Sequence, residues 1–441
     1  MFNTIKNALK TPEIRKKMLY TLLLLILFRL GCYITVPMVN IATLGETMAA
    51  SENSVTGLIN MVSGGAFSRL SIFAMSITPY ITASIVIQLM SMVIPSLERL
   101  TKEGGEEGRK KIDRYTKIIS LILAVIEGVG IYFSYRASGL FIDDGALTGF
   151  MVVLSLVAGT SLLMWLGDKI TSKGIGNGIS MLIFAGIVSG IPSALVSIFS
   201  LVNQEGSFST TGLITAILML VGILILVIGV VFVQLAERRI PVQYSKKVVG
   251  RKMMGAQNTH IPIKPAMASV MPIIFASSFM TFPAMVIELF VHDIENQTGF
   301  VRVLYNLSIA TSSSTVGWQY IIINALIYLL LIIGFTYFYT YATFNPAEVA
   351  NNIKQNGGFI PGIRAGKPTA DYLSSVLSKV VLFGGLFLAA IAILPMFAKA
   401  TGLNTAFGGS SILIVVGVAI ELSQQLQSLL VMKHYKGFLE K

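Results

Sequence analysis

Ten apolar runs, each able to cross a bilayer, divide this chain from end to end. They fall at about Met18 to Pro37, Leu70 to Ile94, Tyr115 to Tyr135, Leu147 to Gly167, Gly176 to Phe199, Gly212 to Leu235, Ala268 to Val291, Gln319 to Tyr341, Ser375 to Phe397 and Ser410 to Val431. A hydrocarbon core about 30 Å thick takes roughly 20 residues of helix, and each run has that length. The pattern predicts an all-α polytopic membrane protein.

Between the runs, two segments are too long to be passive connections, Ala236 to Met267 and Ala342 to Ser374. In the first, Ile240, Val242 and Tyr244 alternate with polar residues, and a second extended piece around Thr259 to Ile263 follows a tip bearing Gly250, Arg251 and Lys252. That spacing predicts a projecting hairpin with cations at its end, although Pro241 fits poorly inside a strand. In the second, Asn345, Pro346 and Glu348 supply an N-cap, a first-turn proline and a capping-box partner; Gly357 and Gly358 stop the helix. Arg364 then sits in a turn, either gripping a phosphate or carboxylate or simply solvated.

A shorter stretch, Gly57 to Arg69, is broken by Gly64 and Gly65, yet Leu58, Met61, Val62 and Phe67 give it an apolar face. It reads as an interfacial helix on the outer leaflet or as a helix dipping back into the protein, which is tolerated at membrane depth only where protein or a cavity surrounds it.

Composition fits the pattern: 54% of residues are hydrophobic, against about 45–50% in soluble domains. Of the 33 Lys and Arg, 28 fall in the two tails and the even-numbered loops with their adjoining span ends. The odd-numbered loops hold only Arg69, Arg136, Arg302 and Lys399. The positive-inside rule therefore places both termini in the cytoplasm and accounts for the net charge of +12 without nucleic acid. The opening cations followed by an apolar stretch resemble a secretory signal, but no small-residue cleavage pattern follows, so the first run is expected to be retained. Cys32 is the sole cysteine, which excludes an internal disulfide and argues against a cysteine metal site.

Chemistry within the membrane would need ionisable groups there, and the spans offer Arg29, Glu127 and Glu421. Arg29 lies about 16 Å along a helix from Met18, near the midplane on these boundaries. It is expected either to bond backbone carbonyls or a carboxylate within the bundle, or to take part in an ion relay. All three histidines, His260, His292 and His434, fall in loops or the tail, so no intramembrane metalloprotease or Ser-His pair is expected. Gly362 to Thr369 lacks the spacing of a phosphate-binding loop and places Pro368 directly after Lys367. The chain is expected to be no enzyme, to carry no cofactor and to draw its energy from a partner. Gly174, Gly176 and Gly178 open the fifth run as a tight turn or an anion cradle. A secondary transporter of small solutes remains the alternative function, with Arg29, Glu127 and Glu421 as its binding or coupling groups.

Six motifs carry a resemblance: SGGAFSRLSIFA (Ser63 to Ala74), TPYITASI (Thr78 to Ile85), GIGNGIS (Gly174 to Ser180), AQNTHIPIK (Ala256 to Lys264), IIFASS (Ile273 to Ser278) and NPAEVANNIK (Asn345 to Lys354). In order and along the whole chain, they resemble the SecY family, pore subunits of the bacterial protein-export channel. The resemblance implies ten transmembrane helices in two pseudo-symmetric halves, residues 1–200 and 201–441, forming an hourglass pore with a lateral gate between spans two and seven. It implies a plug at about residues 57–69, including Leu58, Met61, Val62, Phe67 and Arg69. It implies a pore ring of Ile77, Ile81, Ile183, Ile187, Ile274 and Ile414, and gate positions at Thr82 and Phe282. By spacing alone those isoleucines would be lipid-facing or ordinary core residues.

The family's function would be passage of unfolded preproteins, selected by their signal peptides, across the bacterial cytoplasmic (inner) membrane, with apolar segments released sideways into membrane lipids. Implied partners are SecE and SecG subunits, the SecA ATPase, and the ribosome, whose RNA phosphates would meet Arg251, Lys252 and Arg364 in loops 236–267 and 342–374.

Overall fold

Every predicted run holds a helix or a broken pair. The computed structural model describes residues 2–40, 43–44, 60, 63–102, 104–136, 139–143, 145–204, 207–244, 248–249, 252–253, 258–267, 270–290, 299–310, 317–400 and 409–439. The N-terminal part contains α1 (Phe2–Lys10), α2 (Pro12–Gly31), α3 (Thr78–Val93), α4 (Pro95–Lys102), α5 (Gly105–Arg136), α6 (Ala146–Lys173), α7 (Gly178–Ser189) and α8 (Ile191–Ser200). A small hairpin, β1 (Asn203–Gln204) and β2 (Ser207–Phe208), leads to α9 (Thr210–Leu235). Strands β3 (Arg238–Tyr244), β4 (Val248–Val249), β5 (Lys252–Met253) and β6 (Asn258–Ile263) precede α10 (Met271–Phe290), α11 (Phe300–Ile309) and α12 (Trp318–Thr343). Helix α13 (Pro346–Gln355), strand β7 (Gly358–Phe359), α14 (Lys367–Ala400) and α15 (Gly409–Leu439) complete the order.

Among the described residues, seven helices are long and apolar enough to cross a membrane, or eight when the bent pair α3 and α4 counts as one span. The first run's helix, α2, stands outside that count because it carries Glu13, Arg15, Lys16, Lys17 and Arg29. The seventh run's helix, α10, also stands outside that count.

Two boundaries differ from the sequence expectation for one reason. Helix α2 ends at Gly31 rather than near Pro37, and α3 begins at Thr78 rather than Leu70. The intervening backbone pairs with itself instead: Val36 N–H donates to the Leu70 carbonyl and Ile72 N–H to that of Ile34, both at 2.9 Å. Leu70 and Ser76 take positive φ angles of 39° and 53°, which no helix can accommodate. The stretch therefore packs as turns; a Cβ on Gly159 of α6 would lie 1.7 Å from the Ile72 carbonyl. Arg29 is correspondingly in the last turn of its helix, not midway along a span.

The glycines before α7 make a turn. Gly176 adopts φ 89°, and Gly178 N–H is taken by Thr171 Oγ1 while Ile175 N–H is taken by Thr21 Oγ1. A Cβ on Gly178 would come within 1.9 Å of the Gly167 carbonyl, so the close approach needs a glycine.

One apolar core unites both parts of the chain. It draws Phe28 from α2, Ile81 from α3, Leu163 from α6, Leu182 from α7, Val230 from α9, Ile273 from α10, Tyr328 from α12, Leu388 from α14 and Leu413 from α15. The two parts meet along two seams, α3 and α5 against α10, and α1 and α7 against α15.

The long loops join in a platform the sequence did not reveal as one unit. Strands β3 and β6 pair antiparallel with Val242 opposite Thr259, as the alternation predicts, and β7 from the second loop adds to β3 through Gln243 and Tyr244. Beyond β7's reach β3 is an edge at Pro241, where proline is tolerated. Beneath the sheet, Ile240, Val242 and Ile263 pack with Ala350, Ile353, Ile360, Leu373, Leu377 and Val381. Asn345 caps α13 by accepting from Ala347 N–H at 3.1 Å, and Gly357 at φ 69° ends it. Val242→Asp, which buries a carboxylate in this core, is expected to cost about 3 kcal/mol or more of local stability. It should expose both loops to protease together; cleavage confined to residues 236–267 would mean the loops fold separately.

Candidate functional site

All six isoleucines singled out by sequence lie in the one large apolar cluster. Ile77 caps the N-terminus of α3 and Ile81 follows one turn on; Ile183 and Ile187 lie one turn apart on α7; Ile274 comes from α10 and Ile414 from α15. Each is buried, from 1% exposed at Ile77 and Ile187 to 7% at Ile81 and Ile274. A lipid-facing reading is therefore wrong for all six. Lipid-facing residues look different here: Phe232 on α9 is 76% exposed and Leu330 on α12 61%.

Residues 63–77 lean on this cluster from one end. Phe67 is buried with Val36, Leu70 and Met75, and its ring lies 6.4 Å from that of Tyr135. The Arg69 guanidinium lies 4.4 Å above the Tyr33 ring, and Arg29 approaches the same ring at 5.8 Å. Ser63 Oγ accepts from Phe67 N–H, and Asn60 Oδ1 accepts from Ser68 N–H at 2.9 Å, so side chains close these turns. Leu58, Met61 and Val62 lie outside the described residues.

On the α3 seam, Thr82 is half-buried and returns its hydroxyl to the Thr78 carbonyl at 3.1 Å, while Phe282 on α10 is 45% exposed. The polar contact across the seam involves residues that sequence reasoning missed: Tyr339 Oη on α12 donates to Gln88 Oε1 on α3. The Phe275 ring of α10 packs against Tyr339 at 5.0 Å. A glutamine inside the apolar run of span two was the available signal.

At the platform, Arg364 is exposed between Gly362 and Gly366, whose φ angles of 83° and 103° fix the turn that presents it. Its carbonyl accepts from Thr369 Oγ1 at 2.8 Å. Lys252 opens β5, opposite Val249, at the far end of the first loop; Arg251 lies outside the described residues. Glu237 bonds Arg239 at 2.6 Å, and that guanidinium holds its carboxyl below the usual range. Of the other ionisable candidates, Glu127 is buried on α5 and Glu421 is half-buried on α15. Among the described residues no group of His, Cys, Asp or Glu could hold a metal ion.

A bundle of membrane-spanning helices around one buried apolar core, with a folded-back segment packed against it, defines the class. Solved structures share it. Sec61 in the canine ribosome–channel complex from the endoplasmic reticulum superposes with a TM-score of 0.62 at 20% identity, over 93% of this chain and 91% of that one. A SecY structure, whose plug domain is described as stabilising the closed translocation channel and maintaining a membrane seal, gives 0.65 at 21%, with the same coverage. These likenesses establish the fold alone. The particular family follows from sequence: the SecY family model matches residues 71–423, and the protein translocase subunit SecY of Streptomyces scabiei is 41% identical over the full length of both chains. The chain belongs to the SecY family.

Tyr339→Phe is expected to lower stability by about 1 kcal/mol through loss of the Gln88 bond. Thermal unfolding of Tyr339→Phe, Gln88→Leu and the double variant should show non-additive losses; strictly additive losses would mean the two side chains do not interact.

Proposed function

We propose that the chain is the pore subunit of a bacterial protein translocase and not an enzyme, passing unfolded preproteins through the isoleucine waist. The observation that carries this reading is that all six isoleucines, from four helices in both halves, are buried in one shared apolar cluster. A neck for varied polypeptide needs no specific hydrogen bonds, and an apolar constriction excludes ions by dewetting when empty. Branched, uncharged side chains can close around many shapes.

Residues 1–200 and 201–441 form the two halves, joined by the β1–β2 hairpin, and they part between α3 and α10. The Gln88–Tyr339 bond ties α3 to the far side of that seam. A segment in the opening partitions by its own transfer free energy: a long apolar one leaves for lipid, and a polar one continues through. Thr82 and Phe282 flank this path. Residues around Phe67 and Arg69 serve as the plug.

The positive-inside distribution supports a cytoplasmic-membrane protein with both termini and the platform in the cytoplasm. There Arg364, Arg251 and Lys252 would receive the SecA motor or ribosomal RNA phosphates, the latter largely without base readout. SecE and SecG complete the complex, and signal peptides open it.

Export of a preprotein into vesicles holding the reconstituted complex tests the reading as a whole. In that assay Ile81→Asn or Ile274→Asn should raise resting ion leak and admit preproteins with weak signals; unchanged leak together with unchanged selection would count against the waist. Arg364→Glu should slow SecA-driven export by roughly tenfold, the loss of a charge-assisted contact worth 1.4 kcal/mol or more. Normal export by that variant would remove Arg364 from the docking surface. Glu127→Gln with Glu421→Gln should export normally, whereas a carrier coupled through those carboxylates would stop.

A further inference from the structure

The ionisable group deepest in the first span points at the folded-back segment. Arg29 Nη1 donates to the Gly64 carbonyl at 2.9 Å. Arg29 occupies the last turn of α2, where the helix's unpaired carbonyls favour a cation. Among the described ion pairs none includes Arg29; its guanidinium meets this carbonyl, the Tyr33 ring and the Cys32 thiol beside it.

Gly64 is held from a second side. Its φ is 66°, and a Cβ there would lie 2.6 Å from Arg29 Nη1, 2.6 Å from Ser189 Oγ and 2.9 Å from the Gly186 carbonyl. Gly186 and Ser189 flank Ile187 at the end of α7, so Gly64 is wedged between the arginine and a helix that lines the waist. Next to it, the Ser63 carbonyl is approached by Cys32 Sγ at 3.9 Å. The segment can leave only by giving up the arginine's bond.

We propose that Arg29 is the positioning residue that seats the plug at Gly64 against α7, and so sets how strong a signal peptide must be to open the channel. This rests on the channel reading above. A hydrogen bond from a charged donor contributes on the order of tenfold to hundredfold to an equilibrium, and here that bond exists only while the segment is seated. Arg29 touches no translocating chain in this account; it acts through Gly64.

The test uses the full-length chain with its partner subunits in vesicles. Arg29→Gln should raise resting ion leak about tenfold and restore export of preproteins with defective signals. Export of preproteins with intact signals and the unfolding temperature should stay near wild type. Arg29→Lys, which keeps a charged donor, should regain part of the seal. Gly64→Ala, which crowds the same contact from the plug side, should reproduce the Arg29→Gln behaviour, and the double variant should be no leakier than either. It carries the test if Arg29→Gln fails to assemble. A well-folded Arg29→Gln channel as tight and as selective as wild type would overturn the proposal, as would additive leak in the double variant. Wild-type vesicles that export no preprotein would instead sink the channel reading itself.

Discussion

In hydrocarbon, water is absent and every backbone polar group must find its partner inside the protein. Helices meet that demand alone; a chain that turns back at membrane depth cannot. Residues 63–77 are such a stretch, and their positive-φ turns leave carbonyls and amides facing inward. The protein satisfies them locally, with Ser63 and Asn60 side chains, and across to the end of α2, through Val36, Ile34 and Arg29. Apolar side chains such as Phe67, Leu70 and Phe73 anchor the turns while these hydrogen bonds satisfy their backbone.

The same constraint shapes the seams between the halves. Apolar contact gives no net attraction over lipid, since acyl chains are as apolar as leucine. A seam of aliphatic surfaces can therefore open sideways at small cost. What biases it closed is close packing and an isolated polar bond such as Gln88 to Tyr339, worth about 1 kcal/mol. Such weak closure suits a channel whose stimulus is one apolar segment.

Much of this fold was legible because membrane spans obey a length rule and loops obey a charge rule. The capped helix α13 was readable to its ends, since Asn345, Pro346 and Gly357 each have a local job. The ends of α2 and α3 were not, because Leu70 and Ser76 adopt left-handed conformations that side chains rarely take and that no pattern announces. The two-residue strand β7 was equally hidden; only tertiary pairing makes Gly358 and Phe359 a strand. The isoleucines show the deeper limit. Their spacing fits lipid, core or pore alike, and only the family likeness selected six from so apolar a chain. Burial then removed lipid from the choices. Arg29 was flagged by its cost, but its partner, a glycine carbonyl 35 residues away, carries no sequence mark.

Helix α14 gives the platform mechanical meaning. Its first turns supply Leu373, Leu377 and Val381 to the platform core, and the same helix, before its internal Pro395, supplies Leu388 and Ile391 to the large apolar core. Along the way Tyr337 of α12 bonds the Ser378 carbonyl at 2.8 Å, and α14 packs on α12 and α15. A load applied near Arg364 thus enters a rigid rod rather than a flexible loop. Two loops sharing one sheet are both tied to that helix. Had each loop folded alone, the first would have been joined only to α9 and α10.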